Sequence, residues 1–167
     1  MSAITGLEAV SALRAKLDRL ASSEFKRDVL LPALADTARE QIDYGFGRQV
    51  DPYDKPWKRS IRAATEGGQT LVDTGALQGS FVAGQTTDTS TEVVSALPYA
   101  GPNNYGATIK ARNAPYLKFK VGGRWVSNKR VVLPRRLMIP SGDRPLGVRW
   151  RNAMQDAYSN CVRAVIA

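Results

Sequence analysis

The chain contains no histidine and only one cysteine among its 167 residues. Without histidine there is no Ser-His triad, no Cys-His pair and no ordinary zinc site. With Cys161 alone, no internal disulfide can form. Its place in the apolar tail "NCVRAVIA" reads as a buried structural thiol. Long apolar runs are also missing, and none approaches the roughly 20 residues of a membrane span. The first residues, "MSAITGLEAV", lack the basic start and apolar block of a signal peptide. These absences lead us to expect no membrane association and synthesis in a reducing cytoplasm. No glycine-rich phosphate loop follows a strand and opens a helix. Asp51 and Asp54 flank a proline and read as an exposed turn rather than metal ligands. Glu24 and Lys26 read as a solvated surface pair. The expectation is a protein without cofactor or metal, and no enzyme.

Acids are scarce where bases are dense. Residues 110–151 hold twelve Lys/Arg and a single acid, Asp143, a surplus of eleven positive charges. The whole chain carries +9, so the remainder carries −2. A basic segment on a nearly neutral body points to a polyanion or to an acidic protein surface.

The periodicities predict helix, helix, loop, several strands and helix. Thr5 and Glu8 have capping-box spacing. Leu7, Val10, Leu13, Leu17 and Leu20 then recur at helical spacing. Ser22 or Ser23 caps a second helix, with Phe25, Val29, Leu30, Leu34, Ala38 and Ile42 as its apolar positions. Pro32 kinks or restarts it, and Gly45 and Gly47 end it. Both stripes read as core packing between two helices. Pro52, Pro56, Gly67 and Gly68 punctuate a long loop in which Trp57 anchors the segment to the body. "GSFVAG" and "STEVVSA" form one hairpin candidate. "YLKFKV" and "RWVS" form a stronger one, because Gly122-Gly123 supplies a two-residue turn. There Leu117, Phe119 and Val121 alternate with Lys118 and Lys120, giving a buried face and a basic face. "VVLPRRLMIP" adds a strand broken by Pro134, and residues 145–166 keep helical spacing. The expected fold is one α+β domain. Helices occupy about 5–47, a loop about 48–70, a β-rich part about 71–140 and a last helix about 145–166. The helices pack on an antiparallel β-sheet with long extended loops or hairpins.

The stretch "LVDTGALQGSFV" contains Asp73-Thr74-Gly75, which reads like the catalytic loop of a retropepsin-like aspartic protease. Such an enzyme pairs two aspartates that share one proton. A chain with one such triplet would have to dimerise through Asp73, and more than a quarter of it reads as helix before the motif. A three-residue match of common residues is weak, and a structural turn accounts for it better. Gly75 tolerates a left-handed backbone, Asp73 or Thr74 caps the helical turn that follows, Leu77 enters the core and Ser80 starts the next strand.

Taken in order, these segments resemble the virion morphogenesis, or tail-completion, family of tailed bacteriophages. The matching residues are "DPYDKPW" with Trp57, then Leu71, Thr74, Gly75, Leu77 and Ser80, then "LPYAGPNNYG" from Tyr99 to Gly106, then "VLPRRLMIP". The chain has Asn103-Asn104-Tyr105 where members often carry a histidine, and Leu137 where they carry a proline after the second arginine. The resemblance implies a structural role at the head–tail junction of the virion. A ring of this protein with itself, hexamer or dodecamer, would cap the tail tube and join it to the head connector, as a neck or tail-terminator component. It would be made in the host cytoplasm. It implies contacts between subunits or rings through Trp57, Lys118, Lys120, Arg124, Trp125, Arg135 and Arg136. The basic segment would dock on an acidic protein surface or, alternatively, meet packaged DNA. A DNA-binding protein and an Asp73 protease are the other readings carried forward.

Overall fold

A computed structural model describes residues 3–167, with side chains from Gly6 onward. The element order is α1 (Ala3–Ala21), α2 (Ser23–Phe25), a π-helical segment (Lys26–Leu30), α3 (Leu31–Arg48), α4 (Ile61–Thr65), α5 (Ala76–Gly79), β1 (Phe81–Thr86), β2 (Thr91–Ser95), α6 (Ala100–Tyr105), β3 (Ala107–Lys110), β4 (Leu117–Val121), β5 (Arg124–Asn128), β6 (Arg130–Leu133) and α7 (Val148–Ile166). The architecture is α+β, as expected.

Helix α1 begins four residues before Leu7, so Thr5 falls inside it, and the side chain of Thr5 lies outside the described residues. Ser22 then makes the expected cap, its hydroxyl accepting the Phe25 N–H at 3.1 Å. The chain next passes Pro32 without breaking. The Leu31 N–H donates five residues back to the Lys26 carbonyl, which widens the turn just where proline removes a donor. Gly45 and Gly47 do not end the helix. Both lie inside α3, and Gln49 terminates it in the left-handed region with φ 59°.

The core gathers Ile42 and Phe46 from α3, Trp57 from the loop, Leu77, Phe81, Ala100, Met138 and Trp150. The Phe46 ring meets Trp57 edge-on at 5.2 Å between centroids. Such a contact adds about 1 kcal/mol to the burial of the two rings. Helix α3 is the central element, with α7 on one side and the β1–β2 hairpin on another.

Four further expectations are corrected. The strands are antiparallel, but they form three separate two-stranded ladders, β1 with β2, β3 with β6 and β4 with β5, rather than one sheet. The loop 48–70 contains α4, so it is not purely extended. Most consequential, the α1 stripe is not core. Leu7, Val10, Leu13 and Leu17 are exposed at 73%, 65%, 55% and 54%. Periodicity correctly predicted one apolar face, but among the described residues α7 covers it only near Leu20 and leaves these four side chains more than half exposed. Cys161 is only partly buried on α7, short of the interior position expected.

Local chemistry accounts for the remaining turns. The Asp51 carboxylate accepts the N–H groups of Tyr53 (2.8 Å) and Lys55 (3.0 Å), and Asp54 pairs with Arg149 at 2.9 Å, so both aspartates serve a turn. Gly75 takes φ 79° at the entry to α5, Leu77 is buried, and the Ser80 hydroxyl donates to the Leu77 carbonyl at 2.7 Å. Ser80 thus closes α5, and the strand starts one residue later at Phe81. No described helix is long and apolar enough to cross a membrane.

Candidate assembly surface

Residues 107–133 form a single two-stranded arm in two stages. At the base, β3 pairs with β6 from Ala107↔Leu133 to Lys110↔Arg130. The Ala111 N–H extends this ladder to the Lys129 carbonyl at 3.4 Å. The outer stage is the β4–β5 hairpin, with Leu117↔Asn128, Lys118↔Ser127, Phe119↔Val126, Lys120↔Trp125 and Val121↔Arg124 opposed. Gly122 and Gly123 turn it with φ 55° and 77°, the positive pair that a two-residue turn requires. At the base, Gly106 has φ 78°, and a Cβ there would sit 3.1 Å from the Arg135 nitrogen and the Leu133 oxygen. The tip is fixed by α4, since the Gly122 N–H donates to the Glu66 carboxylate at 3.0 Å.

Paired residues share a face, because side chains alternate along a strand. One face of the outer stage carries Lys118, Ser127, Lys120 and Trp125. The other carries Leu117, Phe119, Val126 and Val121, with Asn128 and Arg124 at its two ends. The basic face is exposed, as expected. The apolar face is only half-buried, so the second expectation holds in part. Trp125 is the most exposed aromatic of the arm, at 70%, and the Lys120 ammonium stands 5.3 Å from its ring centroid. The arm holds seven cations, Lys110, Arg112, Lys118, Lys120, Arg124, Lys129 and Arg130, and no acid. Among the described residues, none of the seven makes an ion pair.

The contact residues expected from sequence therefore divide. Lys118, Lys120, Arg124 and Trp125 come together on the arm and face solvent. Arg135 is exposed beyond its base and donates to the Ser141 hydroxyl at 2.9 Å. Two point inward. Trp57 is 8% exposed and its indole N–H donates to the Leu137 carbonyl at 2.9 Å. Arg136 is buried and its Nε donates to the Lys58 carbonyl at 2.7 Å. Burial pushes the Arg136 guanidinium below its usual pKa. Neither can reach a neighbouring subunit. Trp57 is the anchor that its loop needed, and the arginine pair of "LPRRL" splits because neighbouring residues of an extended segment face opposite ways.

The motif residues also converge. Thr74, Leu77 and Tyr99 line one open cleft of about 370 Å³, with Arg62, Asp73 and Arg136 on its wall. Gly75 and Ser80 shape the turn beside it. The charged neighbour of Asp73 is Arg62, at 3.6 Å, and not a second carboxylate. Arg62 also donates to the carbonyls of Gln69 (2.7 Å) and Val72 (2.5 Å), holding the turn that puts Leu71 at φ 63°. No group of His, Cys, Asp or Glu among the described residues is arranged to hold a metal.

Sequence reasoning missed Gln49, Arg62 and Asn104. Gln49 links α3 to the loop through Trp57 and Thr70, and the Asn104 carbonyl oxygen accepts the Met138 N–H at 2.6 Å. Each works through a partner distant in sequence, which no local pattern discloses.

Comparison of the chain with family models, curated proteins and solved structures finds no match.

Proposed function

We propose that this protein is an assembly component whose fold is completed only by copies of itself. The single observation that carries this reading is the bare face of α1. Four aliphatic side chains at helical spacing stay more than half exposed. Contiguous apolar surface of this kind marks an interaction site. The arm supports it independently, with a basic face that lacks counter-charge and an apolar face left half-covered. Heterologous contacts between such different surfaces close into a ring when the rotation permits.

The resemblance of the motif order to tail-completion proteins then suggests which ring. The chain would sit at the head–tail junction of a tailed bacteriophage, capping the tail tube and joining it to the head connector. Its action is binding, without chemistry. The basic arm faces an acidic protein surface rather than the DNA path, since an arm gripping packaged DNA would hinder ejection.

The test is the mass of the purified protein by light scattering after size exclusion, at low and at high salt. A mass near six or twelve chains supports the ring. A monomer that stays monomeric when tail tubes and connectors are added overturns it.

A further inference from the structure

The acids of this chain lie mostly before its arm, and three of them form a line. Asp36, Glu40 and Asp43 follow one another at four and three residues on α3, all exposed. They lie on a flank of α3, about a third of a turn from the Ala35, Ile42 and Phe46 face that the helix buries. Gly47 continues the same line one turn on, and a Cβ there would meet nothing within 4 Å. The strip therefore carries three acids, has Arg39 along its edge, and is bare at its end. Its charges are only lightly engaged: Asp36 has Arg39 at 3.7 Å, Asp43 accepts from Gln78 at 3.0 Å, and Glu40 has no ion-pair partner among the described residues.

The arm is the complementary surface. Lys118 and Lys120 stand on one face, about 7 Å apart along the strand, and the three carboxylates span about 10 Å of helix. Trp125 lies across the ladder from Lys120 on that face, its ring centroid 5.3 Å from the Lys120 ammonium. Within one chain no ion pair joins the two surfaces among the described residues, and Glu66 holds the arm's tip at α4. A basic surface with no ion pair among the described residues, and a lightly engaged acidic one on the same chain, fit a head-to-tail contact between copies.

We infer that the Lys118, Lys120 and Trp125 face of the arm docks on the Asp36, Glu40 and Asp43 strip of the next copy. This rests on the ring reading and names one of its contacts. The exposed ion pairs set register and salt sensitivity, and the desolvated indole supplies most of the grip.

Two variants test it. One carries K118E and K120E; the other carries D36K, E40K and D43K. Circular dichroism and thermal melts confirm that each folds. Every position is exposed, and K118Q with K120Q provides a milder arm variant. Each reversed variant alone should run at monomer mass at a salt concentration where wild type assembles. The K118Q/K120Q protein should dissociate at lower salt than wild type. Mixed in equal amounts, the two reversed variants should regain the wild-type mass. The glutamate arm then meets the lysine strip, and the native arm of the second variant meets the native strip of the first. Native mass spectrometry should find the two species in equal numbers, alternating around an even ring. Variants that assemble alone like wild type, or a mixture that stays monomeric, overturn the docking and leave the ring reading standing. Wild type that is monomeric at every salt concentration, and stays so when tail tubes and connectors are added, overturns both. Wild type that assembles only when duplex DNA is added makes the arm a nucleic-acid surface and also overturns the docking.

Discussion

The indole N–H of Trp57 donates to the carbonyl of Leu137 at 2.9 Å, across eighty positions of sequence. This bond joins the "DPYDKPW" loop to the "LPRRLMIP" segment, and Phe46 closes on the same ring from α3. Trp57→Ala should therefore cost about 3–5 kcal/mol of folding stability. Trp57→Phe should keep the edge contact and lose the bond, at about 1 kcal/mol beyond the volume change. Urea unfolding of dilute protein measures both. A Trp57→Ala protein as stable as wild type but altered in assembled mass would return this residue to the interface.

Gly147 marks the second place where two distant segments touch. It precedes α7, and a Cβ on it would collide with the Pro52 carbonyl oxygen. Its φ of −57° is open to any residue, so the restriction is contact and not conformation. Gly147→Ala should push the loop away from the start of α7 and weaken the Asp54–Arg149 pair nearby. A loss of about 1–3 kcal/mol is expected, as for other overpacked sites. Thermal melts check it, and a neutral result would mean that the two segments separate freely.

These contacts explain how far the sequence could be read. The β4–β5 hairpin was legible because Gly122-Gly123 and the alternation around them are local. Leu77 and Gly75 were legible for the same reason. The first helix was legible as a helix and illegible as a packing element, since a stripe of leucines says that one face is apolar and not what covers it. Loop 48–70 looked unsupported because its supports lie elsewhere: Gln49 accepts the Thr70 N–H at 2.6 Å, Arg62 binds two carbonyls, and Trp57 reaches Leu137. Strand β3 has only four residues, "ATIK", and exists through β6 more than twenty residues later. The acidic strip on α3 could have been found by marking Asp36, Glu40 and Asp43 on the same helix that was scanned for apolar spacing.

Ser141 offers a test by pH. Its hydroxyl donates to the Asp143 carboxylate and holds that group below the usual carboxylate range, while Arg135 donates to the same serine. A depressed folded pKa means that the stabilisation is present above the unfolded value and is lost as pH falls through the folded one. Ser141→Ala should raise the Asp143 pKa toward its ordinary value and move this acid loss to higher pH. Carboxyl NMR titration reads the shift directly; an unmoved Asp143 would show that the serine does not set it. With no histidine in the chain, stability and charge-driven association should both stay flat between about pH 6 and 8.

Asp73 separates a structural turn from a catalytic acid–base group. It is exposed, its one ion pair is with Arg62 at 3.6 Å, and the Thr74 hydroxyl approaches the Ala76 N–H at 3.4 Å. An exposed pair of this kind contributes about 0–1 kcal/mol. Asp73→Asn should accordingly lower stability by no more than about 1 kcal/mol and leave the assembled mass unchanged. Arg62→Met should cost more, about 1–3 kcal/mol, because the carbonyls of Gln69 and Val72 lose their donor and Leu71 loses support for its left-handed backbone. Chemical unfolding and light scattering on both variants give the comparison. A peptide-cleavage assay on wild type and Asp73→Asn completes it: cleavage by wild type that vanishes in the asparagine variant would establish the protease reading and displace the structural one.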